Sequence, residues 1–78
     1  MKTLILSILI KITLVDINTN ERLPGVKVIT DQNIYYSNLD GVVNMHNNEK
    51  ILDISYVSYE NIQQLVLKKD TTINLKQF

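Results

Sequence analysis

Short runs of β-branched and aromatic residues, separated by polar turn signals roughly every 8–12 residues, constrain this chain most strongly. The sequence contains eleven Ile, seven Val, six Thr and four Tyr residues and no Ala. Branched and aromatic side chains fit a pleated sheet and lose rotamer freedom on a helix. Apolar and polar residues alternate within the runs, and no window shows a capped stripe with helical spacing. We therefore predict an all-β domain with strands at residues 8–16, 26–31, 34–37, 42–46, 51–56, 61–67 and 71–75.

Composition limits both the size and the partners of this domain. The 78 residues make one small domain, whose stability is marginal because short chains bury a small share of their surface. The chain has no Cys, so no disulfide can reinforce it. Eight basic and eight acidic residues balance to zero net charge, which excludes the basic surface that a nucleic-acid-binding protein needs.

The first seven residues have two interpretations. Lys2 followed by an apolar run looks like the front of a secretory signal peptide, but the run stops at Lys11 and no small-x-small cleavage site follows. Residues 1–7 are therefore either an extension of the first strand or the remnant of a targeting segment, and the domain spans 8–78. A strand extension would leave an apolar sheet edge that invites self-association, because unpaired backbone groups template another chain.

The order of the turn signals carries a resemblance to a known family. A strand ending in Asp16 is followed by a polar turn, by Leu-Pro-Gly-Val at 23–26, by Asp-Gly at 40–41 and by Ser-Tyr-Val-Ser-Tyr-Glu at 55–60. In this order and spacing, across about residues 10–76, the segments resemble the carboxypeptidase regulatory-like domain. Two positions depart from the family pattern: Ile12 and Ser58 stand where relatives often carry Gly. If the corner at Ser58 requires positive φ, that residue is strained.

The resemblance implies a seven-stranded antiparallel Greek-key β-sandwich of the transthyretin-like kind. Such domains occur beside carboxypeptidase catalytic domains and in the N-terminal regions of TonB-dependent receptors. The resemblance further implies a non-catalytic accessory or interaction module in the bacterial cell envelope or a secreted protein, that is, an extracytoplasmic setting. Combined with the alternation, this fold predicts inward-facing residues at Ile10, Ile12, Leu14, Val26, Val28, Val42, Leu52, Ile54, Tyr56, Val66, Ile73 and Leu75.

Few residues suggest chemistry of their own. His46 is the only histidine, which is too few for a zinc site, and we expect it near a strand end, at the surface or half-buried. The acidic residues are spread almost one per turn, which turn physics alone explains. The sequence therefore predicts no catalytic residue, metal ligand or cofactor. A transthyretin-like hydrolase is the weakest alternative, because those enzymes use several His and Arg residues and this chain has one of each.

The tyrosines are the better candidates for binding. Tyr35 and Tyr36 are adjacent on a strand, so one of them should point outward, where a ring can stack on a sugar or enter a protein interface. With Asn38, they form the predicted ligand site, and a carbohydrate-binding module is the alternative function. We expect Tyr56 in the core and predict that Tyr59 uses its hydroxyl in a hydrogen bond across the corner. The partner is an unidentified protein or glycan.

Overall fold

The computed structural model describes residues 8–78, and within them the chain is all-β, with its strands arranged in two sheets. All seven predicted strands are present, and every boundary agrees within one residue. The interpretations of residues 1–7 lie outside the described residues. The strands are β1 (Leu9–Asp16), β2 (Lys27–Thr30), β3 (Ile34–Tyr36), β4 (Val42–His46), β5 (Lys50–Ser55), β6 (Ile62–Val66) and β7 (Thr71–Leu75).

The chain passes back and forth between a three-stranded sheet, in the order β4-β1-β7, and a four-stranded sheet, in the order β3-β2-β5-β6. Neighbouring strands are antiparallel with one exception: β7 runs parallel to β1, with Ile12 opposite Thr71. The prediction of a wholly antiparallel fold is wrong at this pair. β7 reaches β1 by a crossing from the other sheet rather than by a hairpin, and alternation within a strand does not encode its direction.

The inward faces of the two sheets form one core, and most of the predicted residues lie in it. Antiparallel partners share a face, so Val43 and Met45 of β4 point inward because they lie opposite Ile12 and Ile10. The predicted Val42 is only partly buried for the same reason. Buried core residues are Ile10, Ile12, Leu14, Leu23, Val26, Val28, Val43, Met45, Ile51, Ile54, Tyr59, Ile73 and Leu75, with Tyr56 partly buried against them.

A β-bulge in β5 explains a further error in the predicted core. Ile29 of β2 pairs with Asp53, but the next residue, Thr30, pairs with Ile51. Leu52 is therefore the extra residue of a bulge. The buried residues Ile51 and Ile54 are three positions apart instead of two, and Leu52, which strict alternation places in the core, is 41% exposed.

The neighbouring strand β6 repeats the same irregularity. Gln64 lies opposite the bulge and has a φ of 58°, while the pairing of β5 with β6 keeps one register on both sides of it. As a result, Ile62 and Leu65 are the β6 side chains that pack on the core, again three residues apart. The predicted core residue Val66 is turned outward and is 57% exposed.

We expect Ile51→Ala to destabilise the domain by about 2–5 kcal/mol, because it leaves a cavity in the core. The adjacent Leu52→Ala should cost much less, because that side chain is partly in water. Urea unfolding followed by circular dichroism measures both. A larger loss at Leu52 than at Ile51 would restore strict alternation and contradict the bulge.

The corner after β5 does require positive φ, which is the condition under which we expect Ser58 to be strained. Ser58 has a φ of 70°, in the left-handed region that glycine tolerates best. Its carbonyl oxygen accepts a hydrogen bond from the Phe78 N–H at 3.0 Å, and Tyr59 N–H donates to the Tyr56 carbonyl oxygen at 3.0 Å. These backbone bonds close the corner, so the strain at Ser58 is offset by the surrounding structure.

Ser58→Gly should therefore stabilise the domain by up to about 1 kcal/mol, because glycine has no Cβ to strain at this φ. The matched control is Val57→Gly, at an exposed neighbour without positive φ, which should destabilise by adding freedom to the unfolded chain. Urea midpoints for the two variants should move in opposite directions. A loss at Ser58 equal to that at Val57 would contradict this account.

Candidate functional site

The three predicted ligand-binding residues lie close in sequence but have different environments. Tyr36 is 63% exposed on the outside of the four-stranded sheet, whereas Tyr35, one residue earlier, is half-buried on the inner side. Asn38 is exposed, but its Oδ1 accepts the N–H groups of Asp40 at 2.9 Å and Val42 at 3.0 Å, so it organises the turn before β4. Tyr36 is thus the residue of the three whose side chain makes no hydrogen bond within residues 8–78.

Tyr35 is tied to a buried carboxylate that sequence reasoning missed. Its hydroxyl donates to Oε2 of Glu49 at 2.5 Å. Glu49 lies in the turn between β4 and β5 and is only 1% exposed. Its setting in the sequence, Asn-Asn-Glu-Lys, is that of an ordinary solvated turn, so nothing local marks it as buried.

The Glu49 carboxylate accepts hydrogen bonds at both oxygens. Oε1 accepts from the Thr30 hydroxyl at 2.5 Å and from Nδ2 of Asn33 at 3.1 Å. Oε2 accepts from Tyr35 and from the His46 backbone N–H at 3.1 Å. Among the described residues no buried side-chain nitrogen or oxygen lacks a partner, so the charge is compensated by fixed dipoles.

The hydrogen bond between Tyr35 and Glu49 joins two groups whose pKa values are both shifted. Burial alone raises the pKa of the Glu49 carboxyl, but hydrogen bonds from Thr30, Tyr35 and Asn33 outweigh it, and the pKa falls from 4.5 to about 2. Burial, reinforced by the hydrogen bond to the Glu49 carboxylate, raises the pKa of Tyr35 to about 12. Glu49 is therefore ionised and Tyr35 protonated across the ordinary pH range, which suits a fixed structural contact.

A second buried carboxylate anchors the corner. Oδ2 of Asp16 accepts the Tyr59 hydroxyl at 2.5 Å, and Oδ1 accepts the N–H groups of Asn18 at 2.7 Å and Thr19 at 3.0 Å. The Tyr59 bond, followed by the backbone bonds, lowers the pKa of the Asp16 carboxyl, and the same bond raises the pKa of Tyr59. Tyr59 thus has the hydrogen-bonding, structural role predicted for it, with its partner on β1.

The outer side of the four-stranded sheet is exposed to solvent. Val28 and Ile54 point inward, so their neighbours along each strand point outward and lie in register across the sheet. We call the outward-facing residues of this sheet the outer face: Lys27, Ile29, Ile34, Tyr36, Lys50, Leu52, Asp53, Ser55, Gln63 and Val66. Ile34, Tyr36, Leu52 and Val66 are large hydrophobic residues exposed on it.

Tyr36 lies at one end of a row that crosses this face. Lys27 is its cross-strand partner on β2, and Ser55 is the partner of Lys27 on β5. Lys27 and Ser55 also line a shallow depression of about 350 Å³, together with Gly25, Tyr56 and Val57. The row therefore offers an aromatic ring, an ammonium group and a hydroxyl beside a solvent-open hollow.

The remaining candidate residues do not form a second site. His46 is exposed at the end of β4, as expected, and its carbonyl oxygen accepts the Glu49 N–H at 3.1 Å. Within residues 8–78 no group of three His, Cys, Asp or Glu side chains is placed to hold a metal ion. The same residues include no apolar helix of membrane-spanning length.

No protein-family model matches the chain, and neither a characterised protein nor a solved structure shows significant similarity to it.

The buried carboxylate makes stability depend on pH in a defined direction. Because the folded-state pKa of Glu49 lies below its ordinary value of 4.5, its contribution is present above about pH 5 and is lost as pH falls toward about 2. In Glu49→Gln the amide nitrogen meets other donors, so we expect a loss of about 1–3 kcal/mol at neutral pH and a shallower decline in acid. Urea midpoints measured from pH 7 to pH 2 test this.

Glu21→Gln is the control for this experiment, because Glu21 is an exposed acidic residue in the turn after β1. Its unfolding curve should follow that of the wild type at every pH. An equal acid response in wild type and Glu49→Gln would show that the Glu49 carboxylate does not contribute to stability in the way its contacts indicate.

Proposed function

We propose that this chain is a non-catalytic interaction module that binds its partner on the outer face of the four-stranded sheet. The observation that carries the proposal is the exposure of Ile34, Tyr36, Leu52 and Val66 on one face. Several large hydrophobic residues exposed on one face of a sheet favour an interaction surface, whereas single exposed apolar residues scattered over a protein do not. Tyr36 supplies the aromatic area that interfaces use most.

The distribution of perturbed groups supports binding over catalysis. Strongly shifted pKa values often indicate an active site, since catalytic groups need unusual acidity. Here the shifted groups are two tyrosine–carboxylate pairs, Tyr35 with Glu49 and Tyr59 with Asp16. The two members of each pair are hydrogen-bonded to each other inside the fold, and neither pair lines the depression beside Lys27.

The proposed class is the transthyretin-like, carboxypeptidase regulatory-like domain, with a Greek-key sandwich topology. Seven strands in two sheets support it, as do the connections: only β2–β3 and β5–β6 join neighbours within a sheet, and the other connections cross between sheets. The positive φ of Ser58, where related domains often carry Gly, agrees with that class. From the same resemblance we propose an extracytoplasmic setting, in the bacterial envelope or a secreted protein.

A photo-reactive phenylalanine analogue placed at position 36 tests the proposed face directly in the native cell. Irradiation should yield one defined cross-linked product, whose mass identifies the partner. The control position is Asn44, which is exposed on the outer side of the three-stranded sheet. Equal products at 36 and 44, or none at 36, would overturn the assignment of this face.

Carbohydrate binding is the second candidate, favoured by the row of Tyr36, Lys27 and Ser55 beside the depression. A sugar ring could stack on Tyr36 while its hydroxyl groups bond to the two polar side chains. Titration with soluble polysaccharides should then change the tyrosine fluorescence of the wild type and leave Tyr36→Ala unchanged. Leu39→Ala, at an exposed turn residue, should respond like the wild type. A response that survives in Tyr36→Ala would rule out this row as the sugar site.

A further inference from the structure

Within residues 8–78, the strand β3 forms an open edge of the four-stranded sheet. At its two ends, Ser37 N–H donates to the Val26 carbonyl oxygen at 3.0 Å and Thr30 N–H donates to the Asn33 carbonyl oxygen at 2.8 Å. Backbone groups alternate in direction along an antiparallel strand, so Tyr35 between them faces β2. The N–H and C=O groups of Ile34 and Tyr36 therefore point away from the sheet, toward the open edge.

Apart from its length of three residues, this edge lacks the features that normally prevent pairing with another chain. Its residues are Ile, Tyr and Tyr, without charge or proline, and Ile34 and Tyr36 are 58% and 63% exposed. The opposite edge of the same sheet is less regular, because Gln64 in the middle of β6 adopts positive φ opposite the bulge of β5. Of the two edges of this sheet, β3 is therefore the one better suited to pairing.

The edge is also complementary to itself. Two β3 strands can pair antiparallel about a twofold axis through Tyr35, which places Ile34 opposite Tyr36 of the partner subunit. Two such pairs would exchange four backbone hydrogen bonds and bury the four exposed side chains against one another. The chain has zero net charge, so no overall repulsion opposes the approach of a second copy.

We propose that the chain forms a dimer through antiparallel pairing of its β3 strands, joining the two four-stranded sheets edge to edge. The hydrogen bond from Tyr35 to Glu49 fixes β3 before the partner arrives, which lowers the entropy lost on association. The inference deepens the proposed function, on which it rests: pairing at the β3 edge joins the outer faces of two copies into one continuous binding surface.

Sedimentation equilibrium of the full chain, combined with circular dichroism, tests the dimer. The wild type should show the mass of two chains at high concentration, and Ile34→Lys should stay a folded monomer. In the dimer that substitution puts two lysines at diagonal positions about 7–8 Å apart. Val66→Lys, on the opposite edge and equally exposed, should dimerise like the wild type. A monomeric wild type, or a dimer lost with Val66→Lys and kept with Ile34→Lys, would overturn the proposal.

The register can be tested separately because the chain has no cysteine of its own. Opposed residues in such a pair have Cα atoms about 5.5 Å apart, within the range of a disulfide. Mixing Ile34→Cys with Tyr36→Cys under mild oxidation should give mainly the mixed disulfide, identified by mass, over either homodimer. A random mixture would overturn this register. If the β3 dimer fails while position 36 still cross-links to another protein, only self-pairing is lost and the proposed function stands.

Discussion

Two buried carboxylates hold the sheets together, and the rest of the structure depends on them. Glu49 lies where the chain crosses from β4 to β5, and its hydrogen bonds join that crossing to β2 and β3 in the other sheet. Asp16, at the end of β1, binds Tyr59 at the corner after β5. Because β4 meets the beginning of β1, with Leu9 opposite His46, the two contacts lie at opposite ends of β1. This small domain has a limited core and no disulfide. Polar contacts that fix the sheets at both ends therefore contribute a larger share of its stability than they would in a larger protein.

The sequence predicts the strands well and the burial less well, for identifiable reasons. Turn chemistry and β-branched runs locate all seven strands, because both are local properties. The prediction of buried residues is wrong at Leu52 and Val66. A bulge inserts an extra residue in β5, and Gln64 of the neighbouring strand β6 adopts positive φ opposite it. A bulge depends on how two strands pair, and the alternation within one strand does not contain that information. The parallel direction of β7 escapes prediction for the same kind of reason.

For the candidate site, too, local features could be predicted from the sequence, and features that depend on contacts between distant segments could not. Alternation requires that Tyr35 and Tyr36 face opposite ways, and the structure assigns Tyr36 to the surface. The sequence raises positive φ at Ser58 only as a condition, and in the structure this residue has a φ of 70°. The burial of Glu49 could not be predicted from the sequence. Its partners come from a different hairpin, 14–19 residues earlier in the chain: Thr30, Asn33 and Tyr35. The site residues Lys27 and Ser55 meet only through the register of β2 with β5.

The adjacent pair Tyr35–Tyr36 connects the stability of the domain to its proposed binding surface. One ring reaches inward and donates to Glu49, while the next lies on the outer face with its backbone directed toward the open edge. A three-residue edge strand has little stability of its own, so its position depends on that inward contact. Any change that breaks the Tyr35–Glu49 bond should therefore loosen Ile34 and Tyr36 as well. Binding through this edge and the buried carboxylate network are then energetically coupled, although no residue of the network except Tyr35 lies on the binding strand.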